Sequence, residues 1–167
     1  KRQVYEMHLP YRKIQFPPTG KKIGIIGAGP SGLTCGYYLA QKGHEVTVYD
    51  SRPYAGGILR YGIPEYRLPK EMLQKEIDVL KQTGLSVLLN TEIGKDVSFD
   101  SLRNQYDAIY IATGTQFSNH IDIPGENLKG VYHGLDFLRD VNMGQSVSVG
   151  HKVVVIGGGS TAIDAAR

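Results

Sequence analysis

The sequence predicts an α/β fold in which a mostly parallel β-sheet is covered by helices to give three layers. Two observations indicate this fold. First, short apolar runs of the buried-strand type alternate with helical segments, which is the order of repeated βαβ units. Second, glycine makes up 21 of the 167 residues and is clustered where two of these runs end, at residues 27–32 and 157–159. Because glycine permits close backbone approach and positive φ angles, both clusters are candidate turns between a strand and a helix.

The first βαβ unit is predicted over residues 22–50. Residues 22–26 (KIGII) are typical of a buried strand, and residues 33–41 of a helix that ends just before Gly43. Residues 45–49 (EVTVY) form the next strand, which is followed at once by Asp50. We expect the crossover between the two strands to be right-handed, as it is in nearly all such units.

The later segments continue this alternation. A polar loop rich in Gly, Tyr and Arg covers residues 51–69, and an amphipathic helix is predicted at 69–82. Further strands are predicted at 86–89, 108–112 and 152–156, and further helices at 133–141 and 161–167. We therefore expect a basic arm or linker at residues 1–20, the first part of one domain at 21–145, and the start of a second domain at 150–167.

Composition and charge argue against several classes of function. The net charge of +3 arises from +5 in residues 1–22 and −2 in the remainder, so it marks a terminal arm and not a nucleic-acid-binding face. No apolar run approaches the ~18 residues of a membrane span, and the amino terminus lacks the apolar part of a signal peptide. The single cysteine, Cys35, excludes a disulfide or a cysteine-held cluster within this chain. The lack of disulfides fits a reducing compartment, so we expect a cytoplasmic protein. The spacing of the five histidines matches no metal-ligand pattern, so we expect no metal site.

The first glycine cluster has the pattern of a dinucleotide-binding turn. Gly27, Gly29 and Gly32 give the spacing GxGxxG between a strand and a helix, and Asp50 follows about 20 residues later. In such a turn the second glycine lets the backbone approach a pyrophosphate, and the acid binds ribose hydroxyls. A carboxylate repels a 2′-phosphate, so NADP is disfavoured at this site, while FAD and NAD both remain open.

Further segments resemble one family of flavoproteins. Residues 50–59 and the triplet Ala112-Thr113-Gly114 resemble two-dinucleotide flavoproteins of the disulfide reductase type. Residues 56–69 (GGILRYGIPEYRLP) are more specific and resemble the small (beta) subunit of NADPH-dependent glutamate synthase. Its relatives include flavin domains of dihydropyrimidine dehydrogenase and the large subunit of the NADPH-linked ferredoxin transhydrogenase. Residues 106–114, 123–126 (IPGE) and 134–138 (GLDFL) fit the same pattern, so the resemblance covers about residues 20–167.

The resemblance implies which residues hold FAD. The first glycine turn would lie along the pyrophosphate, and Asp50 with its successors would face the adenosine. The implied FAD-binding residues are Gly27, Ala28, Gly29, Pro30, Ser31, Gly32, Asp50, Ser51, Arg52, Gly56, Gly57, Ile58, Leu59, Arg67, Ile93, Ala112, Thr113 and Gly114. Arg67 is included because a forked cation suits a phosphate or ribityl oxygen, and a surface ion pair with Glu65 or Glu71 is its alternative.

Residues 153–167 (VVVIGGGSTAIDAAR) resemble the start of an inserted NADPH-binding domain. The implied residues of this second site are Gly157, Gly159, Ser160, Thr161 and Ala162. The rest of that domain, and the segment that returns to complete the flavin site, would lie beyond residue 167. We therefore expect this chain to be a fragment that does not oxidise NADPH by itself and holds FAD weakly or not at all.

The function implied by the resemblance is NADPH-dependent electron input. FAD would take a hydride from NADPH and pass electrons to iron–sulfur clusters, for synthesis of glutamate from glutamine and 2-oxoglutarate. The implied partners are 4Fe–4S clusters of the full-length protein and a large glutamate synthase subunit. One alternative is a related flavin subunit that feeds ferredoxin, a hydrogenase or another iron–sulfur partner, and another is a non-catalytic dinucleotide-binding module. No side chain is expected to act as a catalytic acid, base or nucleophile, because the flavin carries the chemistry.

Overall fold

The computed structural model describes residues 16–167, which contain four strands and six helices. The strands are β1 (Lys22–Ile26), β2 (Glu45–Tyr49), β3 (Ser86–Leu88) and β4 (Ala108–Ile111). The helices are α1 (Pro30–Gln41), α2 (Ile58–Tyr61), α3 (Lys70–Lys81), α4 (Phe99–Gln105), α5 (Gly134–Asn142) and α6 (Ser160–Ala166). Most of the basic arm predicted at residues 1–20 lies outside the described residues. None of the described helices combines the length and the apolar character that a membrane span requires.

The four strands form one parallel sheet in the order β3-β2-β1-β4. β1 lies centrally, and its Ile25 pairs with Val48 of β2 on one side and with Tyr110 of β4 on the other. Because the strands are parallel, their carboxyl ends meet at one edge of the sheet. The segments that follow β1, β2 and β4 are therefore neighbours in space.

The core lies on the face of the sheet covered by α1 and α3. The buried cluster consists of Ile25, Ala28, Leu33, Ala40, Val46, Val48, Ala55, Leu73, Ile77 and Leu85. Gly36 brings α1 close to this cluster, since a Cβ at that position would lie 2.8 Å from Cδ1 of Leu85. On the opposite face Tyr106 covers Gly24, where a Cβ would lie 2.9 Å from the tyrosine ring.

The segment before β1 is tied to the rest of the domain. The Phe16 N–H donates to the Gln41 carbonyl at 3.0 Å, and the Thr19 N–H donates to the Gly43 carbonyl at 2.9 Å. The ammonium of Lys21 donates to Oδ1 of Asp107 at 2.7 Å. Residues 16–21 therefore lie against the end of α1 and the start of β4.

Most of the predicted elements are confirmed. β1 and β2 have the predicted bounds, β3 and β4 end one residue early, and α1 starts earlier than predicted because Pro30 suits the first helical position. The short helices α2 and α4 were not predicted. A capping signal marks α4, because the Ser98 hydroxyl accepts from the Ser101 N–H at 3.1 Å.

The strand predicted at residues 152–156 is wrong. Those residues form neither helix nor strand, and the side chain of Val154 is 86% exposed. An apolar run becomes a strand only when a neighbour completes its hydrogen bonds, and no strand within residues 16–167 pairs with it. Val153, Val155 and Ile156 are also exposed.

Candidate functional site

A cleft of about 190 Å³ lies at the edge where β1, β2 and β4 end. Its walls come from the turn after β1, the end of β2, the start of α2 and the segment after β4. The lining residues are Gly27, Gly29, Pro30, Ser31, Asp50, Gly57, Ile58, Ala112, Thr113, Gly114, Thr115 and Gln116. Ligands of open α/β sheets bind outside the carboxyl ends of the strands, so the cleft lies where a ligand is expected.

Two glycines of the first turn are required by the fold, and the third is not. Gly27 has a φ of 110°, and a Cβ there would lie 2.3 Å from the carbonyl oxygen of Ala112. A Cβ on Gly32 would lie 1.9 Å from the carbonyl oxygen of Gly27, so a side chain would push α1 off the strand. A Cβ on Gly29 would meet only Gly57 Cα, at 3.8 Å, which is an ordinary contact. The small size of Gly29 therefore keeps space open in the cleft.

The amino terminus of α1 opens into this cleft. Gly29 is the N-cap and has no side chain to cap the helix, and Pro30 at the first position has no N–H. The Leu33 N–H donates to the Gly29 carbonyl at 3.0 Å and is the first amide to donate within the helix, so the preceding amides of Ser31 and Gly32 have no helical acceptor. Such amides, together with the positive end of the helix dipole, favour an anionic group such as a phosphate.

The carboxylate of Asp50 fixes the backbone around the cleft. Its Oδ2 accepts a hydrogen bond from the Ala28 N–H at 2.7 Å, and its Oδ1 accepts one from the Arg52 N–H at 2.9 Å. Each carboxylate oxygen has a further lone pair, so both can still accept hydrogen bonds from hydroxyl groups of a ligand. Asp50 is half-buried and forms part of the cleft wall.

The loop that contains Gly56 and Gly57 forms the opposite wall of the cleft. The Gly56 N–H donates to the Ala28 carbonyl at 2.8 Å, which joins this loop to the first turn. Gly57 has a φ of 53°, and a Cβ there would lie 2.8 Å from Gly29 Cα. The two backbones therefore approach each other with no side chain between them.

Several predicted residues do not line the cleft. Ala28 is fully buried, and the guanidinium of Arg52 lies over the ring of Tyr61 at 5.0 Å. Ile93 forms an isolated bridge with Val97. The predicted residues outside the lining are Ala28, Gly32, Ser51, Arg52, Gly56, Leu59, Arg67 and Ile93. Whether any of them contacts a cofactor stays a prediction.

Arg67 forms an ion pair with an acid on the last helix, α6. Its Nε donates to Oδ1 of Asp164 on α6, and the Tyr66 hydroxyl donates to the same oxygen at 2.7 Å. Tyr66 and Arg67 hold the pKa of Asp164 below its ordinary value against the opposing effect of burial. The ion pair with Glu65 or Glu71, given as the alternative, is wrong: Glu65 accepts a hydrogen bond from a backbone N–H, and Glu71 pairs within α3.

Two lining residues, Thr115 and Gln116, were not predicted. They directly follow Ala112-Thr113-Gly114, where Gly114 turns the chain with a φ of 67°. Gln116 Nε2 donates to the Thr113 carbonyl at 3.3 Å, which keeps this segment beside the cleft. The only sequence signal for them is that the chain must leave β4 across the mouth of the cleft.

The second glycine turn repeats the geometry of the first. Gly157 has a φ of 125°, close to that of Gly27, and Gly159 is an N-cap with the same φ of −77° as Gly29. The Ile163 N–H donates to the Gly159 carbonyl at 3.1 Å, as the corresponding amide does in α1. Residues 157–161 are exposed to solvent. The turn thus has the backbone conformation of a dinucleotide-binding turn without a surrounding pocket among the described residues.

The parallel sheet, the glycine turn and the helix that follows it define a Rossmann-like domain. The profile of the family described as pyridine nucleotide-disulphide oxidoreductase matches residues 21–167, and the chain belongs to this family.

Individual proteins are similar to this chain over most of its length. The chain is 44% identical over 159 residues to the NADPH-Fe(3+) oxidoreductase subunit beta of Geobacter sulfurreducens, covering 90% of this chain and 23% of that protein. It is 40% identical over 156 residues to the NADPH glutamate synthase small chain of Bacillus subtilis, covering 87% of this chain and 32% of that protein. Among solved structures, 2-naphthoyl-CoA reductase matches 99% of this chain and 24% of its own length, with a TM-score of 0.72 and 31% identity. The chain therefore spans 23% to 32% of the length of these three proteins. It is similar to glutamate synthase small chains, as the sequence predicts.

Proposed function

We propose that this chain forms the FAD-binding part of an NADPH-dependent flavin oxidoreductase of the glutamate synthase small-subunit type. The observation that carries the proposal is the cleft beside Gly29, a glycine that the fold does not require and that forms the N-cap of α1. An open space at that point suits a pyrophosphate, because its oxygens can reach helix amides that no side chain covers.

The residues of the cleft fit the adenosine and pyrophosphate parts of FAD. Ser31 and Gly32 offer backbone N–H groups to phosphate oxygens, and Asp50 keeps lone pairs for ribose hydroxyls. Asp50 would also repel a 2′-phosphate, which favours FAD over NADP at this site. Backbone groups of residues 112–116 line the other side of the cleft and would lie along the nucleotide.

In this proposal the residues of the cleft bind the cofactor and orient it. When bound, a flavin supplies hydride acceptance and one-electron donation, so the protein needs no nucleophile or general base of its own. Among the described lining residues, the Asp50 carboxylate is held by two backbone amides and the Ser31 hydroxyl is hydrogen-bonded to the Tyr110 hydroxyl at 2.8 Å. These contacts fix the walls of the cleft and leave the chemistry to the cofactor.

We propose that the turn at residues 157–162 contributes to an NADPH site. Its φ angles and its first helical hydrogen bond match those of the first turn, which supports a nucleotide-binding role. The contacts of Tyr66 and Arg67 with Asp164 would hold this second turn at a fixed distance from the loop that precedes α3. In this proposal they are positioning residues that link the two turns.

The electron acceptor is the part of the proposal on which relatives differ. Similarity to glutamate synthase small chains favours an iron–sulfur path to a large glutamate-forming subunit. The 44% identity to an NADPH-Fe(3+) oxidoreductase subunit, against 40% for the glutamate synthase chain, favours a second candidate, a flavin subunit serving another acceptor. Both candidates use the same cleft.

The test is anaerobic reduction of the full-length protein that contains this chain. We expect NADPH to bleach the bound flavin and reoxidation to require an electron acceptor. Adding glutamine with 2-oxoglutarate and the purified large subunit then distinguishes the candidates: glutamate formation supports the first, and reduction of Fe(3+) without glutamate supports the second. A bound flavin that NADPH does not reduce would contradict both.

A further inference from the structure

Three side chains with metal-ligating groups meet in the segment between β4 and α5. Nδ1 of His120 lies 3.1 Å from Oε1 of Glu126, and Nε2 of His133 lies 3.7 Å from the same oxygen. One donor atom from each of the three residues lies within 4.8 Å of the other two. The imidazole rings are packed edge to face with centroids 4.7 Å apart. This cluster is separate from the cleft, whose lining contains none of the three residues.

The local backbone explains how residues so far apart in sequence come together. Asp122 has a φ of 53° and begins a reversal, and the Glu126 N–H donates to the Ile123 carbonyl at 3.2 Å within the turn. His133 is the N-cap residue of α5, so it is held at the end of a regular element. The chain thus folds back on itself and places His120 opposite His133.

Glu126 is fixed before any ligand arrives. Its side chain is 7% exposed, and its two oxygens accept hydrogen bonds from the backbone amides of Ile121 at 3.2 Å and Asp122 at 3.0 Å. Burial opposes its ionisation, but these amides and His120 outweigh that effect and hold the pKa of Glu126 below its ordinary value. A buried, ionised carboxylate with a fixed orientation is the arrangement that supporting hydrogen bonds give to metal ligands.

We propose that His120, Glu126 and His133 bind one divalent transition-metal cation of the zinc class. Ligands at about 2.0–2.1 Å from a tetrahedral Zn²⁺ are roughly 3.3 Å apart, and the observed 3.1 and 3.7 Å bracket that value. Two imidazoles and one carboxylate suit Zn²⁺, Co²⁺ or Ni²⁺ and do not suit Mg²⁺ or Ca²⁺, which prefer oxygen ligands alone.

The cation would brace the loop that follows the cleft. His120 is 59% exposed at its side chain and His133 is 29% exposed, so the fourth coordination position faces solvent and takes a water molecule. The bound cation would tie the loop, four residues after the lining residue Gln116, to the start of α5. The effect expected first is therefore a higher thermal stability of this part of the protein.

The test uses the full-length protein after removal of metals with a chelator. Zn²⁺ is titrated calorimetrically, Co²⁺ is followed by its visible absorption, and the melting temperature is measured with and without Zn²⁺. We expect one saturable site per chain and a Co²⁺ spectrum of a four-coordinate, imidazole-containing site. His120→Ala and His133→Ala should each weaken Zn²⁺ binding at least ~10-fold. Removing a group that only supports a metal ligand already lowers metal affinity by about that factor, and these variants remove a ligand itself.

Two controls keep the result unambiguous. His151→Ala removes an exposed histidine outside the cluster and should leave Zn²⁺ affinity unchanged. Because Glu126 also holds two backbone amides, Glu126→Gln serves as the third ligand variant only if its melting temperature without metal matches that of the wild type. Zn²⁺ affinity that is unaffected by both histidine variants, or no saturable binding to the wild type, would overturn the proposal. Flavin content should be the same in all variants, so this test is independent of the proposed function.

Discussion

Substituting Gly29 and Gly32 separates a glycine needed by a ligand from one needed by the fold. In Gly29→Val the new Cβ lies 3.8 Å from its nearest neighbour, Gly57 Cα, and the backbone at φ −77° accepts any residue. The free energy of unfolding should change by no more than about 1 kcal/mol, the usual scale of a change at a helix N-cap. In Gly32→Ala the Cβ lies 1.9 Å from a backbone oxygen, so α1 must move and the protein should lose several kcal/mol of stability.

The effect of Gly29→Val on FAD follows from the contacts that it blocks. A side chain beside Gly57 displaces the pyrophosphate from the helix amides, and each charge-assisted hydrogen bond is worth about 1.5–3 kcal/mol. Losing two such bonds costs roughly 3–6 kcal/mol, which corresponds to a 10²- to 10⁴-fold weaker affinity. We expect Gly29→Val to purify folded and without flavin.

The assay is flavin titration of the full-length protein, with thermal unfolding measured on the same samples. The matched control is Gly150→Val, because its Cβ also meets one backbone atom, the Lys152 carbonyl oxygen at 3.7 Å, and lies outside the cleft. The control should retain wild-type FAD affinity. Wild-type flavin content in Gly29→Val would refute the placement of the pyrophosphate, and unfolding of Gly29→Val would refute the claim that the fold tolerates a side chain there.

Three further predictions concern charge and specificity. Asp50→Ala should weaken FAD binding by about 1.5–3 kcal/mol through lost hydrogen bonds, and equal FAD affinities of the wild type and the variant in a fluorescence titration would show that Asp50 does not meet the ribose. Asp164→Asn should lower the melting temperature at pH 7. The pKa of Asp164 is lowered in the folded state, so its contribution is complete above the unfolded value of about 3.9 and is lost as pH falls through the folded value. The difference in melting temperature between the wild type and Asp164→Asn should therefore shrink as the pH falls below about 3.9, and a constant difference between pH 7 and pH 3 would contradict this origin. Finally, substitutions in residues 1–150 should leave the preference for NADPH over NADH unchanged in steady-state kinetics, and a variant in this range that changes the ratio of the two kcat/KM values would show that selectivity is decided here.

The first βαβ unit could be predicted from the sequence because the patterns that indicate it are local. An apolar strand, a glycine turn and a helix follow one another within residues 22–41, and each is stabilised by neighbours in sequence as well as in space. Asp50 was predictable for the same reason, since the end of β2 must lie beside the end of β1 in a parallel pair. The position of the cleft could thus be predicted from these residues without knowledge of the other residues that line it.

The remaining features depend on contacts between distant residues. Arg67 and Asp164 are 97 residues apart, and no spacing rule links a loop arginine to an acid on a later helix. His120 and His133 meet only because the chain reverses between them, which linear ligand motifs do not describe. The failure at residues 152–156 has a related cause, because apolar composition shows what a strand could be made of but not whether a partner strand is present.

The nucleotide bound by the full-length protein tests the central claim most directly. The protein is denatured after extensive dialysis, and the released compound is identified by mass spectrometry and quantified against the protein. The cleft at Gly27, Gly29 and Asp50 predicts one FAD per chain. Release of FMN or of a nicotinamide dinucleotide alone, or a protein that contains no nucleotide and takes up no added FAD, would contradict the account.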